Sequence, residues 1–318
     1  MVSGPTILTH LRNLTQYLDQ FPHQENAYFE QLIGMAFSEV LYLPFCTIDN
    51  DNAAVEHRVI WQGSDQSGCL SPAPGGKPDI IVYCYGFYLV IEPTLKTGAN
   101  QWTQEFASAV RHCSDFVKVH NASAADVYTL LVTPKLYEDT YESLRRHPRT
   151  QYKFVPLQTD VLREILKTSI LALSIRHLDL RRFFNRVPEY IKESSTLPEF
   201  HKRCEEGIEV WQKEVLKQEK DAFIGIKSYE TIRKTNRPAV SVGEIFENLL
   251  KDSFVEEYLT LLGETVDIRE IETILKQQSL AHIAGRTIQD ELLFECVPYV
   301  DFKGRALRVI KAVQSVGQ

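Results

Sequence analysis

The chain has little that would place it in a membrane or outside a cell. Its 318 residues contain no apolar run of about eighteen residues, the length that a membrane-spanning helix requires. The N-terminus also lacks the successive basic and apolar blocks of a signal peptide. We therefore expect a cytoplasmic protein, and an apolar content of 44% with 24% charged residues is typical of a folded globular chain.

Two common kinds of functional motif are also missing. The six cysteines form no C-x-x-C pair, so we expect no zinc site but reduced, mostly buried thiols such as Cys84 and Cys113. No G-x-x-x-x-G-K-[ST] sequence occurs, which leaves the chain without a P-loop. Function must therefore be sought in other residue patterns.

The chain has no surplus of positive charge, since its net charge is −7. This balance is not typical of a nucleic-acid-binding protein, but what matters for phosphate binding is the local density of basic residues. Taken singly, each basic group is explained by a helix face exposed to solvent. Several such groups together predict at least one surface that contacts phosphate. The groups are Arg145, Arg146, His147 and Arg149; Arg176, His177, Arg181, Arg182 and Arg186; Lys227, Arg233, Lys234 and Arg237; and Lys303, Arg305, Arg308 and Lys311.

The stretch from Gly75 to Lys118 carries the strongest pattern. Two short apolar runs flank a Tyr85-Gly86 turn, and a periodic stretch from Gln101 to Val119 follows, which predicts a β-hairpin and then a helix. Asp79 begins the first strand, Glu92 ends the second and Glu105 lies early in the helix, at intervals of thirteen residues. The hairpin should bring Asp79 and Glu92 to the same edge of the sheet.

Other polar residues should share this edge. Thr94 and Lys96 alternate with Glu92 on one strand face, and Gln101, Glu105 and His112 fall on one helix face. Carboxylates packed this closely are costly unless a cation neutralises them, and hard oxygen ligands suit Mg²⁺ or Mn²⁺. Phosphoryl transfer is the chemistry that such a site supports, although each acid taken singly is often only a turn or surface residue.

These residues resemble a known signature. Pro78-Asp79 followed by E-x-T at 92–94 resembles the PD-(D/E)XK nuclease motif. The fuller pattern G-x-PD…E-x-T-L…Q…E…RH resembles the AlwI-like group of type IIS restriction and nicking endonucleases. The matching positions are Gly76, Pro78, Asp79, Glu92, Thr94, Leu95, Gln101, Glu105, Arg111 and His112.

The resemblance implies a role for each residue. Asp79 and Glu92 would bind Mg²⁺, or alternatively Mn²⁺, with Glu105 as a further ligand or acid and Glu30 of the first core helix as a second-rank ligand. Lys96 and Gln101 would position the attacking water and the scissile phosphate. His112 would act as a base or contact phosphate, and Thr94 occupies the position of the usual motif lysine.

The implied activity is a metal-dependent DNA endonuclease of the type IIS restriction or strand-nicking kind, in a prokaryotic cytoplasm. Its partners would be double-stranded DNA and, for the other strand, a second copy of the chain or a second nuclease subunit. Pro93 and Thr94 depart from the common motif, so a catalytically decayed nuclease-fold scaffold or binding subunit of a prokaryotic defence complex is the alternative. A nuclease subunit whose target is chosen by a larger defence assembly is a third interpretation.

The chain divides into two predicted domains. Residues 1–175 should form an α/β restriction-endonuclease-like core, a mixed sheet flanked by helices, and residues 176–318 a mainly α-helical domain for DNA recognition or partner binding. In the first domain we expect helices over residues 5–20 and 26–43 and strands over 58–62, 127–132 and 152–157. Residues 63–77 should be a loop, and amphipathic helices should cover residues 178–192, 198–218, 242–262 and 268–278.

Overall fold

The structure is a computed structural model, and the residues it describes fall into two compact units. These residues are 26–41, 43–48, 55–66, 69–146, 153–172, 175–235, 237, 239–278, 281–286 and 292–296. The first unit lies within Met1–Ile170 and Ser174–Val210, and the second within Leu171–Leu173 and Trp211–Gly317. The predicted helix over 5–20, the basic residues His147 and Arg149 and those of 303–311 lie outside the described residues.

A six-stranded mixed sheet forms the centre of the first unit. Its strands lie in the order β1-β2-β5-β6-β7-β8, with the pairs β2–β5 and β5–β6 antiparallel and the others parallel. The strands are β1 (Phe45–Thr47), β2 (Val59–Trp61), β5 (Ile80–Cys84), β6 (Phe87–Pro93), β7 (Val127–Thr133) and β8 (Lys153–Gln158). Every residue of β7 is buried, as expected for an apolar strand covered on both faces.

Helices flank this sheet, so the predicted α/β core followed by a mainly helical region is confirmed. The helices are α1 (Asn26–Leu41), α2 (Ala107–His120), α3 (Glu138–Arg146), α4 (Thr159–Leu171) and α5 (His177–Glu193). A π-helical turn, Gln101–Phe106, leads directly into α2, and a short 3₁₀ helix, Ala124–Asp126, precedes β7. The predicted helix from Gln101 to Val119 therefore begins in a different helical geometry.

The predicted β5–β6 hairpin is present with its two-residue turn. Cys84 pairs with Phe87, and Gly86 in the turn has a φ of 79°, a conformation that glycine adopts without strain. The structure adds one feature that the sequence pattern did not indicate. Within the predicted loop over 63–77, β3 (Ser64–Gln66) and β4 (Cys69–Ser71) form a small antiparallel hairpin.

The C-terminal helices differ from the predicted ones in length. The helix predicted over 198–218 extends as α6 (Leu197–Lys234), and the one predicted over 242–262 is divided into α7 (Val242–Leu249) and α8 (Ser253–Leu262). The division occurs because the Asp252 side chain accepts hydrogen bonds from the backbone N–H groups of Phe254 and Val255 and so begins a new helix. A further helix, α9 (Ile268–Gln278), is confirmed.

Three short strands accompany these helices. They are β9 (Val240–Ser241), β10 (Ala281–Arg286) and β11 (Leu292–Cys296), and they form an antiparallel sheet in the order β10-β11-β9. The sequence pattern indicated only that strands would be scarce in this region. Among the residues described, no helix is long and apolar enough to cross a membrane.

One buried histidine connects α5 with the hairpin turn and with α1. The Tyr85 backbone N–H donates to His177 Nδ1 at 3.0 Å, so the ring proton lies on Nε2, which donates to the Leu41 carbonyl oxygen at 3.0 Å. Burial lowers the pKa of His177 to about 4, and the charge of His57 lowers it further, against the effect of the Leu41 hydrogen bond. The fold therefore requires this ring to be neutral.

This requirement predicts a loss of stability in acid. Because the folded pKa lies below the ordinary value of about 6.5, the contribution of His177 is complete above that pH and is lost as the pH falls towards 4. Between pH 7 and pH 5 the free energy of unfolding of the wild type should fall by about 2 kcal/mol more than that of His177→Gln. Urea unfolding at both pH values measures this, and parallel pH dependences of the two proteins would contradict it.

Candidate active site

The register of the hairpin places two acids opposite each other. Ile80 pairs with Ile91 in the antiparallel ladder, so Asp79 and Glu92 are the next opposed positions. Glu92 is 2% exposed, although a glutamate is seldom buried in a strand unless it has partners. The sequence predicted the two acids at one edge of the sheet, and their carboxyl groups lie within hydrogen-bond reach of each other.

Simultaneous ionisation of the two carboxyl groups is energetically unfavourable. Burial, together with the negative charges of Glu92, Glu30 and Glu105, raises the pKa of Asp79 to about 10. Burial, followed by the charge of Glu105, also raises the pKa of Glu92, although the hydrogen bond to Asp79 acts in the opposite direction. Asp79 therefore keeps a proton and donates it to Glu92, which is the arrangement expected for acids that lack a neutralising cation.

Glu30 reaches the same cluster from α1. Its Oε2 accepts a hydrogen bond from the Trp61 indole at 3.2 Å and another from the Ala73 backbone N–H at 3.3 Å. Burial raises its pKa, and its charge acts on both Asp79 and Glu92. The helix, the sheet and the segment after β4 thus hold this carboxyl group in place. The sequence suggested Glu30 but did not indicate the roles of Trp61 and Ala73.

Glu105 and Lys96 form an ion pair at the outer side of the cluster. Lys96 Nζ lies 2.7 Å from Glu105 Oε1 and also donates to Gln104 Oε1 at 2.8 Å. The Lys96 side chain is 40% exposed, whereas that of Glu105 is 16% exposed, so the ammonium group faces the solvent-accessible side. The predicted proximity of Lys96 to the acids is therefore observed, with Glu105 as its partner.

His112 is bound to Glu92 rather than free to face a substrate. Arg111 Nη2 donates to His112 Nε2 at 3.3 Å, and because a guanidinium can only donate, the ring proton lies on Nδ1. His112 Nδ1 then donates to Glu92 Oε1 at 2.8 Å. Burial and the charge of Arg111 lower the pKa of His112, which favours this neutral form. The resulting chain from Arg111 through His112 orients the Glu92 carboxylate.

Gln101 is fully buried and bonds to the protein with both ends of its amide. Nε2 donates to Thr133 Oγ1 at 3.0 Å, to the Lys135 carbonyl at 2.9 Å and to the Lys96 carbonyl at 3.3 Å. Oε1 accepts from the Tyr137 backbone N–H at 3.1 Å. These bonds connect the start of the helix that carries Glu105 to the end of β7, so we assign Gln101 a positioning role. Its predicted contact with water and phosphate stays a prediction.

Thr94 lies just beyond the end of β6 and makes local contacts. Its Oγ1 accepts a hydrogen bond from the Lys96 backbone N–H at 3.0 Å, and its own N–H donates to the Val132 carbonyl at 2.8 Å. Pro93 ends the strand, so Glu92 lies at its rim, as the sequence indicated. Thr94 therefore orders the turn that presents Lys96, and a catalytic role for it stays a prediction.

The donor set of this cluster fits a divalent metal ion. Four carboxyl groups, those of Glu30, Asp79, Glu92 and Glu105, act on one another electrostatically, and hard oxygen ligands of this kind suit Mg²⁺. Within the described ranges, however, no three His, Cys, Asp or Glu side chains are already placed to hold an ion together. The bonds made by Lys96 and His112, and the proton shared by Asp79 and Glu92, occupy oxygens that would be ligands.

Asp79→Asn should stabilise the metal-free protein. Because the pKa of Asp79 is raised in the folded protein, its contribution to the free energy of unfolding is complete below its ordinary pKa of 3.8 and falls progressively as the pH rises to about 10. An amide at this position donates to Glu92 without this cost. In EDTA at pH 7.5 we expect the melting temperature to rise by at least a few degrees and the stabilisation by Mn²⁺ to be lost.

Asp115→Asn is the matched control for Asp79→Asn. Its carboxylate is exposed and lies 3.9 Å from Lys118, a pair that contributes little to stability. It should leave both the melting temperature and the Mn²⁺ response unchanged. A lower melting temperature for Asp79→Asn in EDTA would contradict the prediction, since it would show that burial and repulsion of the carboxylates do not destabilise the metal-free protein.

Gln101→Ala should destabilise the fold by about 2–4 kcal/mol, because it removes four hydrogen bonds of a fully buried amide and leaves the Tyr137 N–H without its acceptor. Gln104→Ala is the control on the same helical turn, since Gln104 is exposed and its side chain accepts a hydrogen bond from Lys96 Nζ at the surface. It should change the free energy of unfolding by less than about 0.5 kcal/mol. Equal values for the two variants in urea unfolding would exclude the positioning role of Gln101.

Two comparisons with known proteins gave matches. The family model described as AlwI restriction endonuclease matches residues 21–165, a range that includes all four acids and confirms the resemblance seen in the sequence. The small subunit (R.BspD6I2) of the heterodimeric restriction endonuclease R.BspD6I is a similar solved structure, with 17% sequence identity and a TM-score of 0.47. The similarity covers 63% of this chain and 97% of that one. No curated protein matches the chain.

Proposed function

We propose that this chain, whose residues 21–165 resemble the AlwI restriction endonucleases, is a metal-dependent DNA endonuclease of the type IIS restriction or strand-nicking kind. The family match by itself indicates a DNA endonuclease. The observation that carries the finer proposal is the buried hydrogen bond between Asp79 and Glu92 inside a cluster of four acids. A scaffold has no need for such a cluster, whereas hydrolysis of a phosphodiester does.

Asp79 and Glu92 would bind Mg²⁺ or Mn²⁺, with Glu105 and Glu30 as further candidates. A divalent cation at this site would polarise the phosphate and favour ionisation of an attacking water. The protein's own contribution is to hold the ligands in place. The Trp61 indole and the Ala73 N–H fix Glu30, and the buried hairpin register fixes the other pair.

Lys96 is the side chain best placed to contact the scissile phosphate. Its ammonium group lies at the exposed rim of the cluster and now pairs with Glu105. An incoming phosphodiester would compete with Glu105 for this cation, which would leave the Glu105 carboxylate available to the metal. His112 serves to orient Glu92 through its Nδ1 proton, because its second nitrogen is occupied by Arg111.

One such cluster cuts one strand of a duplex. A double-strand break therefore requires a second active site, supplied by another copy of this chain or by a different nuclease subunit. A chain that acts alone would leave nicked DNA.

The alternative is a catalytically decayed nuclease-fold scaffold or binding subunit of a defence complex. The observation that favours it is Thr94 at the place of the motif lysine, with Oγ1 bonded to the backbone of its own turn. Lys96 weighs against it, since its ammonium group lies beside the acids and supplies a cation at the site.

A supercoiled-plasmid assay separates the two proposals. With Mg²⁺ or Mn²⁺ we expect the wild type to produce nicked or linear plasmid, and Glu92→Gln to reduce the rate by more than about 100-fold, since loss of an outer-sphere partner alone costs 10–100-fold. Glu209→Gln, an exposed acid of α6, should retain the wild-type rate. Inactivity of both proteins with either metal would favour the scaffold, and equal activity of both would show that Glu92 takes no part in cleavage.

A further inference from the structure

A polar cleft lies in the second unit, where the end of α6 meets the starts of α7 and α8. Its volume is about 610 Å³. Lys234 comes from the last turn of α6, Asn248 and Lys251 from the end of α7 and the segment after it, and Ser253 and Phe254 from the first turn of α8. All of these residues belong to the second unit, which contains Trp211–Gly317, whereas the candidate active site belongs to the first.

The two carboxylates in the cleft wall already have basic partners. Glu244 forms an ion pair with Arg237. The Asp252 carboxylate lies 3.5 Å from Lys227 Nζ, which is also 3.4 Å from Glu230 Oε2, and it caps α8.

Lys234 and Lys251 are the two uncompensated charges of the cleft. Both side chains are exposed, and neither forms an ion pair or a hydrogen bond with any other part of the chain that the structure describes. The cleft and its ion-pair partners carry four basic side chains (Lys227, Lys234, Arg237 and Lys251) against three acidic ones (Glu230, Glu244 and Asp252), so their net charge is positive, although the whole chain carries −7. The neighbouring Ser253 hydroxyl and the second amide proton of Asn248 add neutral donors.

Within the residues that the structure describes, the arginines of the first two basic groups lie beside carboxylates. On α5, Arg182 pairs with Asp179, as does Arg176 just before the helix, and Arg186 pairs with Glu189. Of the third basic group, Lys227 and Arg237 pair with acids, which leaves Lys234 exposed at the cleft. For these groups the sequence overstates the positive charge that the folded chain offers to a phosphate.

We propose that this cleft binds the phosphate backbone of duplex DNA, an inference that rests on the proposed function and deepens it. Lysine binds phosphate as a point charge without a fixed geometry, and two lysines from separate helical segments can contact a sugar-phosphate strand. Such contacts fix the position of a protein on DNA but read no sequence. The cleft thus gives the second unit a part in substrate binding that does not involve the carboxylate cluster.

The test is the salt dependence of duplex binding by the full chain. Fluorescence anisotropy on a 30-base-pair duplex, with Ca²⁺ in place of Mg²⁺ to keep the duplex intact, gives Kd over a series of salt concentrations. Each phosphate contact contributes about 0.9 to the slope of log K against log salt. We expect Lys234→Gln and Lys251→Gln each to lower the slope by about one, and the double variant by about two.

Two controls separate local contacts from general effects. Lys213→Gln with Lys217→Gln makes the same change in net charge on exposed residues of α6 and should retain the wild-type slope. Lys234→Arg with Lys251→Arg keeps both charges and should also bind as the wild type does. Thermal unfolding should be the same for all variants, because these side chains are exposed.

A double glutamine variant that binds the duplex with the wild-type slope would overturn the proposal and leave the proposed nuclease function intact. A wild-type chain that binds no duplex and cleaves no plasmid with Mg²⁺ or Mn²⁺ would overturn both. An equal loss of slope in the Lys213 and Lys217 control would also overturn the assignment to the cleft, since it would show that only net charge matters.

Discussion

The mutual repulsion of four carboxyl groups, two of them buried and two partly buried, is the constraint on which the candidate site depends. Asp79 and Glu92 face each other because Ile80 pairs with Ile91, and strand side chains alternate between two faces. A shift of one residue in this register would move Glu92 from the cluster to the opposite face, and because both faces of β6 are buried the carboxylate would lie in the core without these partners. Apolar burial in the hairpin therefore maintains an electrostatic arrangement that is unfavourable by itself.

The rest of the site limits this cost without removing it. Lys96 and the pair Arg111 and His112 bring positive charge and hydrogen-bond donors to the edge of the cluster, and Trp61 donates to Glu30. None of these groups stands between Asp79 and Glu92, which instead share a proton. A divalent cation would replace that proton, and its binding free energy would include the relief of the repulsion. Functional sites commonly retain such local instability where the surrounding core can sustain it.

Sequence reasoning located the hairpin, its glycine turn and the acid spacing because all three depend on local pattern. Gly86 marks the turn, and the intervals between Asp79, Glu92 and Glu105 translate directly into places on two strands and a helix. The partners of Glu30 could not be predicted in this way, since Trp61 and Ala73 are 31 and 43 residues away along the chain. Periodicity also cannot show that Gln101 lies inward, because its amide finds partners only after β7 and the following segment have folded.

The same difference between local and tertiary information explains which basic residues remain available to bind phosphate. A sequence shows where arginines and lysines are concentrated, but their availability depends on which carboxylates the fold brings next to them. On α5 the spacing of Arg176, Asp179 and Arg182 already produces ion pairs within the helix, so a dense basic group offers little to an outside anion. Lys251 belongs to none of the basic groups of the sequence and Lys234 is one of four residues in its group, yet both stay unpaired in the described part of the chain because Arg237 and Lys227 lie beside the acids of the cleft. In a chain with a net negative charge, unpaired cations that line one cleft, rather than the most basic segments, indicate where phosphate can bind.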